Sequence, residues 1–86
     1  SYTIASGVYI LTADSTSNSF TVTLPAASSN SGRIIMVKDS GGNSHSNNIT
    51  ISRNGSDVID GEASIVLESP YAAVTLVCNG SNWFIL

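Results

Sequence analysis

At 86 residues the chain has length for one domain. A domain this small buries only about 60% of the surface its unfolded chain exposes, so it needs a staple, a metal or a partner more often than a larger one does. Cys78 is the only cysteine, which excludes an intrachain disulfide, and no Cys/His cluster is spaced for zinc; oligomerisation is the remaining source of help. Charged residues make up 10% of the chain, against about 25% in typical proteins, and over a third of the positions are Ser, Thr or Asn, so the polar surface is mostly neutral hydroxyl and amide. With a net charge of −3, and Arg33, Lys38 and Arg53 as the whole Lys/Arg complement, the chain lacks a phosphate-binding footprint, and nucleic acid is not an expected partner. No apolar run approaches the roughly 20 residues of a membrane-spanning helix, so membrane insertion is not expected. No motif for an organic cofactor is present. The 42% apolar content, gathered in periodic runs, argues against disorder. The chain begins with Ser1 and not Met, so residues 1–86 are expected to be a single β domain processed or excised from a longer protein, or C-terminal in one.

In chain order, the apolar residues recur with period two. Phe20, Val22 and Leu24 alternate with Thr21 and Thr23; Ile49 and Ile51 with Thr50 and Ser52; Ala63, Ile65 and Leu67 with Ser64 and Glu68. Such alternation marks half-buried strands. Strands are predicted over residues 2–4, 8–12, 19–24, 33–38, 48–53, 63–68, 72–78 and 82–86, with a short extended piece at Val58 and Ile59. No segment carries a helical stripe. Pro25 and Pro70 stand at run edges, where a missing backbone donor is tolerated. Ser40-Gly41-Gly42-Asn43, Asn54-Gly55 and Asp60-Gly61 are turn signals, and Asn79-Gly80 predicts a tight type I′ hairpin between the last two strands. The fold class is all-β: a compact antiparallel sandwich, barrel or prism. Residues 39–47, all polar or Gly, are predicted to be the longest irregular connection and exposed, without an apolar anchor.

Three strands are apolar on both faces. In the last, Trp83 and Ile85 oppose Phe84 and Leu86; the run Ile34-Ile35-Met36-Val37 is apolar throughout; Val77 interrupts the polar face of its strand. A sheet with one wet face does not need this. Trp83, Phe84, Ile85, Leu86, Ile35 and Val77 are therefore assigned to core and subunit interface. The alternative is that an N-terminal strand or loop covers the outer faces within one chain.

Residues that could carry chemistry are few. His45, the only histidine, has Ser44 and Ser46 beside it and Asp39 six residues earlier, but a Ser-rich loop supplies such matches by chance, and no catalytic residue is assigned. Asp57, Asp60 and Glu62 carry oxygen ligands but lack the carboxylate density of a calcium loop, and Asp60-Gly61 is more simply a turn; no metal is expected. Cys78 alternates with Val74 and Leu76 as a small core residue would. Three Asn-X-Ser/Thr sequons, at Asn48, Asn54 and Asn79, are matches that this composition produces by chance. Carbohydrate binding is the active function the composition suits: Asn43, His45, Asn47 and Asn48 offer amide and imidazole groups, and Tyr9 and Tyr71 are candidate aromatic platforms. Against it, Asn and Ser also simply solubilise a surface and tighten turns.

The ordered segments FTVTLPAAS (Phe20–Ser28), GRIIMVKD (Gly32–Asp39), NITIS (Asn48–Ser52), DVIDG (Asp57–Gly61) and VTLVCNGSNWFIL (Val74–Leu86) resemble a small β-module of tail-fibre, head-fibre and other appendage proteins of tailed bacteriophages and related viruses. The resemblance covers nearly the whole chain; the loop 40–47 has no counterpart in it. It implies a structural or adhesive, non-enzymatic module on the virion surface, a homotrimer as viral fibres commonly are, with other virion proteins as partners. Asn43, Ser44, His45 and Asn47 are then the candidate contacts to a host receptor or glycan. A lectin-like carbohydrate-binding domain of a bacterial surface or secreted protein is the alternative.

Overall fold

A computed structural model of the chain describes residues 2–4 and 10–86, and side chains at 4 and 10–86. The chain is all-β. Its strands are β1 (Tyr2–Thr3), β2 (Ile10–Ala13), β3 (Phe20–Thr23), β4 (Ile34–Asp39), β5 (Ile49–Ser52), β6 (Ser64–Leu67), β7 (Ala73–Cys78) and β8 (Trp83–Ile85), with one 3-10 turn at Ala27–Ser29. All eight predicted strands form, within one residue of the expected bounds except at the start of β2, where residues 8 and 9 lie outside the described ones.

The strands build two four-stranded sheets, β1-β3-β5-β6 and β2-β4-β7-β8, called the first and second sheet below. The expectation of antiparallel pairing is corrected here. Pairs β1–β3, β2–β4 and β3–β5 are parallel; β5–β6, β4–β7 and β7–β8 are antiparallel. Parallel neighbours need a crossover, usually a helix. Here the crossover is a strand of the opposite sheet: the chain passes from β1 to β2 to β3 to β4 to β5, changing sheet at each step, and so winds as a two-sheet coil. Three antiparallel strands, β6, β7 and β8, then finish both sheets. Period-two patterns read the same in either direction, so the alternation that located the strands carried no sign of this winding.

The inner faces meet in one core of Ile4, Val22, Leu24, Ile49, Ile51 and Leu67 from the first sheet against Ala13, Ile35, Val37, Leu76, Cys78 and Trp83 from the second, with Ala27 and Ile59 from connections. Trp83 is fully buried, and its indole N–H donates to the Pro25 carbonyl at 3.2 Å. The predicted extended piece at 58–59 is there: Trp83 N–H donates to Val58 O at 2.9 Å and Asp60 N–H to Trp83 O at 3.0 Å, which covers the free edge of β8.

The final hairpin forms with Cys78 opposite Trp83. Its turn differs from the expected type I′, which needs positive φ at both central residues. Asn79 N–H donates to Asn82 O, placing Gly80 and Ser81 at the tip, and of these only Gly80 has a positive φ (94°), the pattern of a II′ turn. The Asn79 side chain instead accepts from the N–H groups of Ser81 and Asn82 at 3.0 and 2.9 Å.

Candidate functional site

Two regions bear on function: the loop end beyond β4, and the outer face of the second sheet.

In β4 the inner positions are Ile35, Val37 and then Asp39, a carboxylate placed by the strand period where an apolar residue belongs. Asp39 is fully buried. Its Oδ1 accepts from Gly42 N–H at 3.1 Å, and its Oδ2 from Ser44 N–H at 3.1 Å and Tyr71 N–H at 3.0 Å. Burial alone would raise its pKa, but the donors from Ser44, Tyr71 and Gly42 outweigh burial and hold it at about 2. The loop is thus tied down by one ionised side chain: the connection expected to lack an apolar anchor has a polar one. Ser44, a candidate receptor contact, does not stand at the surface. It is buried, and its hydroxyl donates to Ser69 O.

Asn43 and Asn47 are half-buried and bind the turn after β2: Asn43 Nδ2 donates to Thr16 Oγ1 (3.0 Å) and Gly41 O (2.9 Å), Asn47 Nδ2 to Ser15 O (2.8 Å) and Thr16 O (3.2 Å). That turn is closed by Asp14, whose pKa is lowered by the hydroxyl and N–H of Thr16. His45, Ser46 and Asn48 are exposed. Of the four assigned contacts, His45 alone therefore stands fully at the surface, while two amides and a hydroxyl serve the loop's own structure. Asp39 spends its oxygens on backbone N–H groups, as Asp57 does on Ala27 N–H (2.9 Å) and Asp60 on Ile85 N–H (3.1 Å). Among the described residues no three His, Cys, Asp or Glu side chains converge as metal ligands would.

Tyr71 joins this end. It is 59% exposed and has φ +60°, a conformation that a bulky residue rarely takes. Its carbonyl accepts from Lys38 Nζ, and that ammonium lies 5.6 Å from its ring centroid, within cation–π range. Gly42, at φ +76°, lies against the ring so closely that an added Cβ would come within 2.5 Å of Cζ. The other predicted platform, Tyr9, lies outside the described residues. Asp39 and Gly42 as organisers were missed; a charge at the third inner position of an otherwise apolar strand was the available signal.

The outer face of the second sheet is apolar in register. Ile34, Val77 and Phe84 stand side by side across β4, β7 and β8, and Ile10, Met36 and Thr75 across β2, β4 and β7, with Leu86 N–H bonded to Thr75 O beyond them. Ile10, Ile34, Phe84 and Leu86 are exposed, Leu86 at 70%. β1 and β2 are edge strands, so within the described residues the N-terminal strands extend the sheets and leave this face uncovered. Of the residues assigned to core and interface, Trp83 and Ile35 are core, Phe84, Leu86 and Val77 lie on the outer face, and Ile85 belongs to the inner side at the sheet margin, 40% exposed. Cys78 is buried as read, its thiol donating to Ala27 O at 3.4 Å.

No protein-family model matches the chain, and a search of curated proteins gives no match either.

Proposed function

We propose that the chain is a non-enzymatic structural module of a viral, phage-type fibre or appendage, on the virion surface, which assembles as a homotrimer and displays its loop end for host-receptor attachment. The observation that carries the proposal is the Ile34–Val77–Phe84 row with Ile10, Met36 and Leu86 around it. Among the described residues Lys38 is the only charged side chain in the strands of that outer face, so a partner surface that is itself neutral and apolar fits it, and a second copy offers one. Copies related by a closed rotation can each turn this face to a common axis, as cyclic oligomers do. The first sheet's outer face, built of Thr and Ser apart from Val66 at its edge, offers no such apolar row. The ordered segments that resemble appendage modules agree with this role.

Light scattering at micromolar concentration tests it: a mass of three chains is expected, and one chain's mass throughout that range would overturn the proposal. A second reading, the lectin-like domain, is favoured by exposed Tyr71; it expects saccharide binding by a chain that stays monomeric.

A further inference from the structure

We infer that Tyr71 is a stacking platform for a saccharide, with Lys38 beside it and with His45 and Ser46 exposed in the loop that the same Asp39 carboxylate ties down. The inference rests on the reading above that the loop end serves attachment, and it commits that end to a saccharide held on Tyr71.

A tyrosine at φ +60° adopts a backbone state that glycine takes without strain, and strain of this kind persists where the surroundings over-determine it. Four separate features do so. The Asp39 carboxylate holds the Tyr71 N–H, and Lys38 Nζ holds its carbonyl. Gly42 leaves room for the ring only because it lacks a Cβ. Ala72 N–H donates to Ser69 O at 3.1 Å and closes the turn that carries Tyr71. A core aromatic would repay such support by burial, but this residue remains 59% exposed. The fold thus fixes an aromatic surface in water, and a fixed ring loses little freedom when a ligand stacks on it.

The surroundings select the ligand. A sugar ring combines a C–H face, which packs on an aromatic, with hydroxyls that seek neutral donors and acceptors. The exposed neighbours in the loop are His45 and Ser46, next to Ser44, which is bonded to Ser69 two residues before Tyr71. Lys38 adds an ammonium near the ring. One aromatic among hydroxyl, imidazole and ammonium groups suits a saccharide better than an apolar peptide, which would need further apolar surface at this end.

The test probes the intact chain with a printed panel of neutral hexose-, N-acetylhexosamine- and uronate-terminated oligosaccharides, followed by NMR titration of the best binder. Binding of at least one class is expected. Tyr71→Ala should weaken it by about tenfold or more, the size of one lost aromatic contact, while Tyr71→Phe retains it. Tyr71→Gly, which relieves the backbone, should fold with undiminished stability and also lose binding. No binding by the wild type, unchanged binding by Tyr71→Ala, or a Tyr71→Gly chain that melts well below wild type would each overturn the inference, the last because the ring would then be a packing element. Mass in solution, measured on the same samples, judges the trimer separately: a monomer that binds through Tyr71 sinks the fibre reading and keeps this site, and a trimer that binds no sugar does the reverse.

Discussion

Thr21, Thr23, Thr50, Ser52 and Ser64 occupy the outer face of the first sheet; Ile10, Ile34, Met36, Val77 and Phe84 occupy the same kind of position on the second. Both sets sit in strands of similar length, over inner faces that share one core. Thr and Val or Ile have comparable strand propensity, since what favours them is a branched Cβ on a pleated surface. The apolar face is therefore not needed to make strands. The first sheet forms without one, apart from Val66 at its edge, 45% exposed. The second sheet's outer residues are therefore to be explained by what covers them.

The largest effect should come from the face the two sheets share. Trp83→Ala removes a fully buried side chain and its bond to Pro25 O. Such truncations cost about 3–5 kcal/mol, a large part of the roughly 5–15 kcal/mol that holds a small domain together. Urea titration should show this loss at every protein concentration. A loss under about 1 kcal/mol would mean that the core is not shared between the sheets as described.

Next comes a conversion of one outer face into the other. Ile34→Thr with Phe84→Thr gives the second sheet the chemistry of the first while keeping strand-forming residues. If neighbouring copies cover these side chains, each contributes about 1.5–3 kcal/mol to the assembled state. The double variant should be monomeric by light scattering, and its melting temperature should no longer rise with concentration, unlike that of the wild type. A double variant with wild-type mass and wild-type concentration dependence would erase the distinction between the faces.

Acid should act on the loop end and spare the apolar face. Asp39 ordinarily titrates at 3.8 and does so at about 2 in the fold. A depressed carboxylate adds stability above its unfolded pKa and loses that share as pH falls through the folded one, so the loss should run from about pH 4 to about pH 2. Asp14, also lowered, acts in the same sense. Melting temperature followed from pH 6 to pH 2 should fall across this window, and Asp39→Asn should flatten the fall while lowering stability at pH 6. The mass at pH 3 should equal that at pH 7, because among the described residues the strands of this sheet turn no Asp or Glu side chain to the outer apolar face. Dissociation at pH 3 would place the assembly elsewhere.

How much of this was legible in the sequence depends on the range of the interaction. The strands were legible because alternation at Phe20–Thr23 or Ile49–Ser52 is written in adjacent residues. The exposed apolar row was half legible: Phe84 and Val77 each looked out of place on a wet face, but that they stand beside Ile34 is a matter of register between distant strands. The parallel winding was not legible, since β1 and β3 are joined through a strand of the other sheet. At the loop end, composition suggested a free polar connection. Asp39 reverses that, because three backbone N–H groups from residues 42, 44 and 71 converge on one carboxylate, and nothing local announces the third. The burial of Ser44 was illegible for the same reason: its partner, Ser69, is distant in sequence.

The smallest effect belongs to the polar face. Thr21 and Thr50 are opposite one another on β3 and β5, with Val66 next to Thr50 on β6. Thr21→Val with Thr50→Val would extend Val66 into a three-residue apolar row, the counterpart of Ile34–Val77–Phe84 on the other sheet. Both threonines are half-buried, and the inner face is untouched. Surface changes of this kind usually stay within about 0.5 kcal/mol, so the melting temperature should hardly move. The informative quantity is again mass. If the wild-type assembly forms only through the second sheet, the variant should keep the wild-type mass at low micromolar concentration and begin to self-associate further only as concentration rises, through the new row. If instead the variant changes the mass of the basic assembly at the lowest concentration measured, the first sheet's outer face already takes part in subunit contact, and the contrast between the two faces is one of degree.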